Sequence, residues 1–171
     1  MSRLKYTPLR SGLDTLHSLD SIQQDRKDFQ VKTISAIVLI FDGPQNIHAA
    51  IVNEPYMRLV IEDIGIGPRG FRAVSVAHYF ELNGDLCQDP EIGLEIVSQP
   101  DGTSRYEPFF FQVAIPPIYQ EVYPDGPNSE NRVLKQKLTE FLHTWEQNLA
   151  DQGFLKAARK AVVNRADRPG A

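Results

Sequence analysis

Hydrophobic and polar positions alternate with a period of two through the middle of the chain. The alternating segments are 49–53, 56–63, 71–82, 92–98 and 106–123. The apolar run TISAIVLIF at 33–41 is rich in β-branched residues and is interpreted as a further, buried strand. Turn sequences such as NGD and QPDGTS separate the segments, and Pro116 and Pro117 divide the last one. The pattern predicts about five or six strands that follow one another as an antiparallel meander.

The period changes from two to 3.6 after the linker PDGPNSEN. A continuous apolar stripe follows, formed by Leu134, Leu138, Phe141, Leu142, Trp145 and Leu149. This spacing predicts a long helix with Asn128 or Ser129 as its N-cap and Gly153 as the glycine that ends it. The segment LKAARKAVV predicts one more, basic helix, and the three-residue spacing of leucines at 13–19 predicts a short helix near the N-terminus.

Strands followed by a helix favour an α+β fold with an antiparallel sheet. We expect a meander sheet of about five or six strands, with a short N-terminal helix and a long C-terminal helix packed on one face, which would bury Trp145. The predicted organisation is an N-terminal extension with the short helix at 1–33, a single α+β domain at 34–153, and a basic C-terminal helix and tail at 154–171.

The composition is that of a globular protein and excludes several classes of site. A length of 171 residues suits one domain with a hydrophobic core. The single cysteine, Cys87, excludes an internal disulfide bond and a multi-cysteine zinc site, and it is expected to be a small buried residue. No apolar run approaches the roughly 18 residues of a membrane span, and no secretory signal is visible. We therefore expect a cytoplasmic protein without membrane contact, and the sequence indicates no cofactor.

The charge is distributed unevenly along the chain. The net charge is −4, yet the residues from Phe154 onward carry five basic residues against Asp167, a balance of +4. The preceding 153 residues therefore carry −8. The favoured interpretation is a solvated C-terminal helix and a frayed end, and the alternative is contact of the basic tail with nucleic acid or with an acidic partner.

A formal G-x-G-x-x-G pattern runs from Gly65 to Gly70, directly after an apolar strand. A dinucleotide site needs such a loop to open a helix, whose N-terminal amides meet the pyrophosphate. Here the loop leads into the alternating segment at 71–82, and Pro68 lacks an amide N–H. We therefore interpret the pattern as a glycine-rich turn between antiparallel strands.

The densest group of polar residues is HYFELNGDLCQDPE at 78–91. Asn83-Gly84 predicts a two-residue type I′ turn, because both residues tolerate positive φ. In the register that this turn sets, His78 faces Asp89, which predicts a pair that orients the hairpin. Pro90 is expected to end the ladder, because proline cannot donate to it.

A metal or acid–base site built on His78 is the competing interpretation of this hairpin. Glu81 points to the opposite face of the strand, and Asp85 lies at the tip. Such a site would therefore need carboxylates from elsewhere, such as Glu62 or Glu95. No catalytic residue and no metal ligand is assigned from the sequence.

Four segments, EPYMRLVIEDIG, VSVAHYFELNGDLCQDPE, YQEVY and FLHTWEQNLADQGF, resemble segments of a family of uncharacterised bacterial proteins with a domain of unknown function. They fall within about 54–154, and HYFELNGDLCQDPE is the specific part. Members of the family occur mainly on plasmids, integrative elements and phages. The resemblance implies no catalytic residue, and it implies an accessory role in regulation, partition or inhibition of host defence.

Together these observations predict a non-enzymatic accessory protein that acts by protein–protein contact with a host or element-encoded complex. One version is an inhibitor of host defence, such as an anti-CRISPR protein, whose acidic surface imitates nucleic acid. The candidate binding residues are His78, Glu81, Asp85, Asp89 and Glu91. The wider acidic surface adds Glu62, Asp63 and Glu95.

Two alternatives remain open. The first is a metal-dependent hydrolase that uses His78 and nearby carboxylates. The second is nucleic-acid binding through the tail, with candidate contacts at Lys156, Arg159, Lys160 and Arg165. The oligomeric state does not follow from the sequence.

Overall fold

A computed structural model describes residues 31–41 and 47–166, with side chains as far as Val163. The elements in chain order are helix α1 (Lys32–Phe41), strands β1 (His48–Asn53), β2 (Tyr56–Ile66), β3 (Arg72–Leu82), β4 (Asp85–Ser98), β5 (Ser104–Val113) and β6 (Ile118–Glu121), and helices α2 (Arg132–Asp151) and α3 (Phe154–Ala166). The helix predicted at 13–19 lies outside the described residues.

The six strands form one sheet in the order β1-β2-β3-β4-β5-β6, and each strand is antiparallel to the next. This confirms the predicted α+β fold with a meander sheet. The β3–β4 turn has the predicted chemistry, since Asn83 and Gly84 have φ values of 55° and 91°. Gly67 to Gly70 form a tight turn between β2 and β3, so the glycine-rich segment opens no helix.

Residues 33–41 belong to helix α1, so the predicted buried strand is wrong. The buried side chains of this helix are Thr33, Ile34, Ile37 and Val38. They lie on one side of the helix, whereas Leu39 on the other side is 73% exposed. A short β-branched run does not distinguish a strand from a buried helix by pattern alone. Tertiary contacts decide: α1 packs on α2, α3 and β1.

The carboxylate of Glu146 in α2 holds the first turn of α1. It accepts hydrogen bonds from the backbone N–H groups of Thr33 and Ile34, and the carboxylate and both amides are buried. The first N–H groups of a helix have no partner within the helix, so this carboxylate satisfies two of them. The contact links α1 to the middle of α2.

The C-terminal helices begin and end with recognisable caps. Helix α2 begins later than predicted. Its N-cap is Asn131 and not Asn128 or Ser129, and the Oδ1 of Asn131 accepts a hydrogen bond from Leu134 N at 3.0 Å. Ser129 instead lies in a turn, where its hydroxyl donates to Gly126 O. Gly153, with φ of 79°, separates α2 from α3 as predicted, and the predicted basic helix is α3.

The helices cover one face of the sheet. Helix α2 packs on β5, and α3 packs on β1. The predicted burial of Trp145 is confirmed, since the residue is 6% exposed. We call the opposite face, which carries Val60, Ser75 and Ala77 by strand alternation, the outer face. In the described part of the chain, no helix is long and apolar enough to cross a membrane.

Candidate functional site

The β3–β4 hairpin extends beyond the strands beside it. The last register pair between β2 and β3 is Arg58 with Tyr79, and the last between β4 and β5 is Glu91 with Gln112. Among the described residues, the ladder positions at 80–87 therefore pair only with one another. We call residues 80–87 the arm. Three residues on each strand, at a rise of about 3.3 Å per residue, make its paired part about 10 Å long, and the turn Asn83-Gly84 forms its tip.

The arm exposes both acidic and apolar side chains. Residues 81–86 are all exposed, including Leu82 at 43% and Leu86 at 57%. Glu81 pairs with Leu86 and Leu82 pairs with Asp85, so each side of the arm presents one leucine and one carboxylate. No ion pair to Glu81 or Asp85 occurs within the described ranges 31–41 and 47–166.

The sequence around the arm offers these carboxylates no cation. No lysine or arginine occurs from Ala73 to Ser104, a stretch with six acidic residues. Exposed leucines leave apolar surface in water, and unpaired carboxylates attract basic groups. The arm can therefore contact a partner that presents both apolar and basic side chains.

A β-bulge at the base of the arm changes the predicted register. The pairing runs as predicted as far as Tyr79 with Gln88, but the next pair is Ala77 with Glu91. Asp89 and Pro90 together therefore lie opposite His78, and the strand continues past Pro90 to Ser98. The predicted register pair of His78 with Asp89 is therefore wrong. The predicted end of the ladder at Pro90 is also wrong, because the bulge leaves Pro90 without a ladder hydrogen bond to donate and the pairing continues beyond it.

His78 lies in the hydrophobic core and not on the surface. Its ring contacts Trp145 with 5.4 Å and Phe154 with 5.5 Å between ring centroids, and its Nδ1 lies 3.4 Å from Arg58 O. Burial lowers the pKa of His78 below 6.5, although nearby backbone carbonyls and the charge of Asp89 act in the opposite direction. His78 is therefore a neutral packing residue beneath the base of the arm.

The remaining candidates from the hairpin lie at its base. Asp89 is half-buried at the bulge. Glu91 is half-buried on the outer face, where it accepts hydrogen bonds of 2.5 Å from Ser75 Oγ and Gln112 Nε2. Of the five candidate binding residues, the structure thus places Glu81 and Asp85 on opposite sides of the arm and the other three below the arm.

The wider acidic surface is largely paired within the molecule. Glu62 lies 2.8 Å from His48 Nδ1, a partner that the sequence spacing did not reveal. Asp63 accepts from Arg72 Nε at 2.7 Å. Glu95 is fully buried and accepts from Arg69 Nε at 2.6 Å and from the backbone N–H of Arg69 at 2.7 Å. These carboxylates are therefore less available to a partner than those of the arm.

A buried ion network explains why two glutamates can face each other on β4 and β5. Glu95 and Glu107 are direct cross-strand partners, an arrangement that repulsion would disfavour. Arg69 Nη2 lies 2.9 Å from Glu107, without hydrogen-bond alignment, and Lys135 Nζ lies 3.0 Å away, while Arg105 also contacts Glu107. Burial raises the pKa of Glu107, but the three cations outweigh it and lower the pKa overall. Both carboxylates are engaged by cations, so neither is placed to act as a general base.

The geometry does not assemble the predicted metal-dependent site. His78 faces the helices, whereas Glu62 and Glu95 lie on the outer face in pairs of their own. Within the described residues, no group of three or more His, Cys, Asp or Glu side chains is placed to hold a metal ion. Cys87 is half-buried at the base of the arm and pairs with Phe80, in the predicted register.

The basic residues of α3 form an exposed stripe. Lys156, Arg159 and Lys160 follow the spacing of one helix face, and all three are exposed. Arg165 belongs to the same helix, but its side chain lies outside the described part of the chain. The tail contacts predicted from the sequence therefore begin on a helix that packs against α1 and β1.

Comparison with known proteins places this fold in a family. The family model described as Domain of unknown function (DUF6908) matches residues 32–155, a range that contains the whole sheet, the arm and helix α2. The match confirms the resemblance to a family with a domain of unknown function. No curated protein and no solved structure matches the chain. The match covers more than half of the sequence, and the chain therefore belongs to the DUF6908 family.

Proposed function

We propose that this protein acts by binding another protein through the arm, and not by catalysing a reaction. The observation that carries the proposal is the exposure of Leu82 and Leu86 on a hairpin that extends past its neighbours, beside two carboxylates, those of Glu81 and Asp85, that form no ion pair with a described residue. An interface needs an apolar centre that can be desolvated and polar groups that select the partner. The arm supplies both, and its turn fixes its shape before binding.

The partner that fits the arm has a basic rim around an apolar pocket. We extend the proposal to the setting implied by the sequence resemblance, an accessory protein of a bacterial mobile genetic element that binds a host or element-encoded complex. In the anti-defence version, the carboxylates of the arm occupy a groove that otherwise binds nucleic acid. Glu62, Asp63 and Glu95 form ion pairs within the molecule. This favours a small acidic contact centred on the arm over a broad acidic surface.

Affinity capture with variants of the full chain tests the proposal. The double variant Leu82→Ser/Leu86→Ser removes the apolar part of the arm, and Val133→Ser is a matched control, because Val133 is 66% exposed on α2. Loss of each buried leucine contact costs about 1.5 kcal/mol, so retention of a true partner should fall by at least about tenfold. The control should capture as the unaltered chain does.

The proposal is contradicted if the folded double variant captures the same proteins as the unaltered chain, each in the same amount. Thermal unfolding of each variant establishes that it is folded. The anti-defence version has its own measurement: short duplex DNA added to the captured complex should displace the partner. Retention in the presence of excess DNA would remove that version and leave binding by the arm.

A further inference from the structure

A groove lies beside the first strand of the sheet, between β1 and α3. Its cavity volume is about 730 Å³. Its apolar lining includes Ala50, Val52 and Ala157, and its charged lining is Lys156, Lys160 and Glu54. Val52 is 64% exposed, so apolar surface lies open along the groove.

The chain fixes the walls of this groove by local contacts. Asn53 Nδ2 at the end of β1 donates to Gln152 O at 2.8 Å, which ties the α2–α3 connection to the edge strand. Lys156 and Lys160 are one helical turn apart on α3, and neither forms an ion pair with a described residue. Two lysines against one glutamate leave the groove basic.

We infer that this groove binds the arm of a second copy of the chain. The inference rests on the proposed function, since it gives the arm a partner. The groove offers two lysines beside apolar surface, and the arm offers two carboxylates beside two exposed leucines; none of these four charged groups forms an ion pair with a described residue. A nucleic-acid backbone would match the lysines but would leave the apolar wall without a partner, so an acidic and apolar protein segment fits better.

The positions of arm and groove favour a closed dimer. Asn53 and Glu54, which line the groove, lie at the β1–β2 turn between the paired residues Asn53 and Tyr56. The arm begins after the Arg58–Tyr79 pair, so the turn and the arm lie at the same end of the sheet. Two copies that meet end to end across a two-fold axis can therefore each place an arm in the groove of the other. Such an interface is self-complementary, and both contacts form together.

Charge reversal on the two sides of the contact tests the dimer by analytical ultracentrifugation of the full chain. The unaltered chain should form a salt-sensitive dimer. Glu81→Lys/Asp85→Lys and Lys156→Glu/Lys160→Glu should each weaken self-association by at least about tenfold, because every arm then meets a groove of its own sign. An equimolar mixture of the two variants should restore a dimer, since each arm again faces a groove of opposite sign.

A matched reversal separates the groove from the general charge of the helices. Arg132→Glu/Lys137→Glu changes the net charge equally at exposed positions of α2 outside the groove lining, and it should leave the dimer intact. The inference is overturned if the unaltered chain stays monomeric at about 100 μM, if either reversal at the contact leaves the dimer unchanged, or if the mixture stays monomeric.

Two further outcomes distinguish the competing occupants. A monomeric chain that binds duplex DNA and loses this binding with Lys156→Glu/Lys160→Glu would assign the groove to nucleic acid and overturn the dimer. A monomeric chain whose arm still captures another protein would overturn the dimer and leave the proposed function standing.

Discussion

The contact between Glu146 and the first turn of α1 sets a measurable part of the stability. Replacement of Glu146 by alanine leaves the buried amides of Thr33 and Ile34 without an acceptor. An unsatisfied buried donor costs about 1–3 kcal/mol, and removal of a buried charge offsets part of this loss. We therefore expect Glu146→Ala to lower the free energy of unfolding by about 2–4 kcal/mol. Glu146→Gln keeps one acceptor oxygen and should lose about 1–2 kcal/mol.

Urea unfolding measures this difference, and the single tryptophan provides the signal. Trp145 is buried next to Glu146 in the sequence, so its fluorescence reports loss of the helix packing. Glu140→Ala is the matched control, because Glu140 is exposed on the same helix and its carboxylate accepts only from Gln136 Nε2 among the described hydrogen bonds. It should change stability by less than about 0.5 kcal/mol. A similarly small loss in Glu146→Ala would refute the role of the carboxylate.

Two other substitutions test the core and the outer face with the same assay. Burial lowers the pKa of His78 below 6.5 in the folded chain. As the pH falls through 6.5, the unfolded chain therefore binds a proton at this residue more readily than the folded chain, and the free energy of unfolding should decrease. The decline between pH 7.5 and 5.5 should be larger in the unaltered chain than in His78→Asn, by up to about 1.4 kcal/mol over this pH range, and parallel curves would contradict this. Gly93→Ala would place its Cβ 2.1 Å from Cε1 of Phe110, so it should cost about 1–3 kcal/mol. Adding Phe110→Ala should recover part of that loss, and strictly additive losses would argue against the clash.

The turn chemistry of the hairpin could be predicted from the sequence, but its full register could not. Asn83-Gly84 specifies the turn, and from it the pairs as far as Tyr79 with Gln88 follow by counting. The count fails at His78, where one extra residue is accommodated on β4. A bulge depends on the twist and packing of the surrounding sheet, and the local sequence carries no periodic signal for it.

The candidate site, too, could be predicted from the sequence only in part. The exposed positions Glu81 and Asp85 follow from their place beside the turn, so the sequence was sufficient to find them. The burial of His78 depends on Trp145 and Phe154, which lie far along the chain. Helix α1 was misassigned because its β-branched residues favour strands locally, while its packing against α2 and α3 is a tertiary effect.

The order of the strands has a consequence for the entropy of folding. Each strand of the meander pairs with the strand next to it in sequence, so the sheet needs only short loop closures. The long closures belong to the helices: Glu146 reaches Thr33 across 113 residues, and Asn53 reaches Gln152 across 99 residues. Because the entropic cost of closure grows with loop length, that cost falls on the docking of the C-terminal helices against α1 and β1 and not on assembly of the sheet that carries the arm.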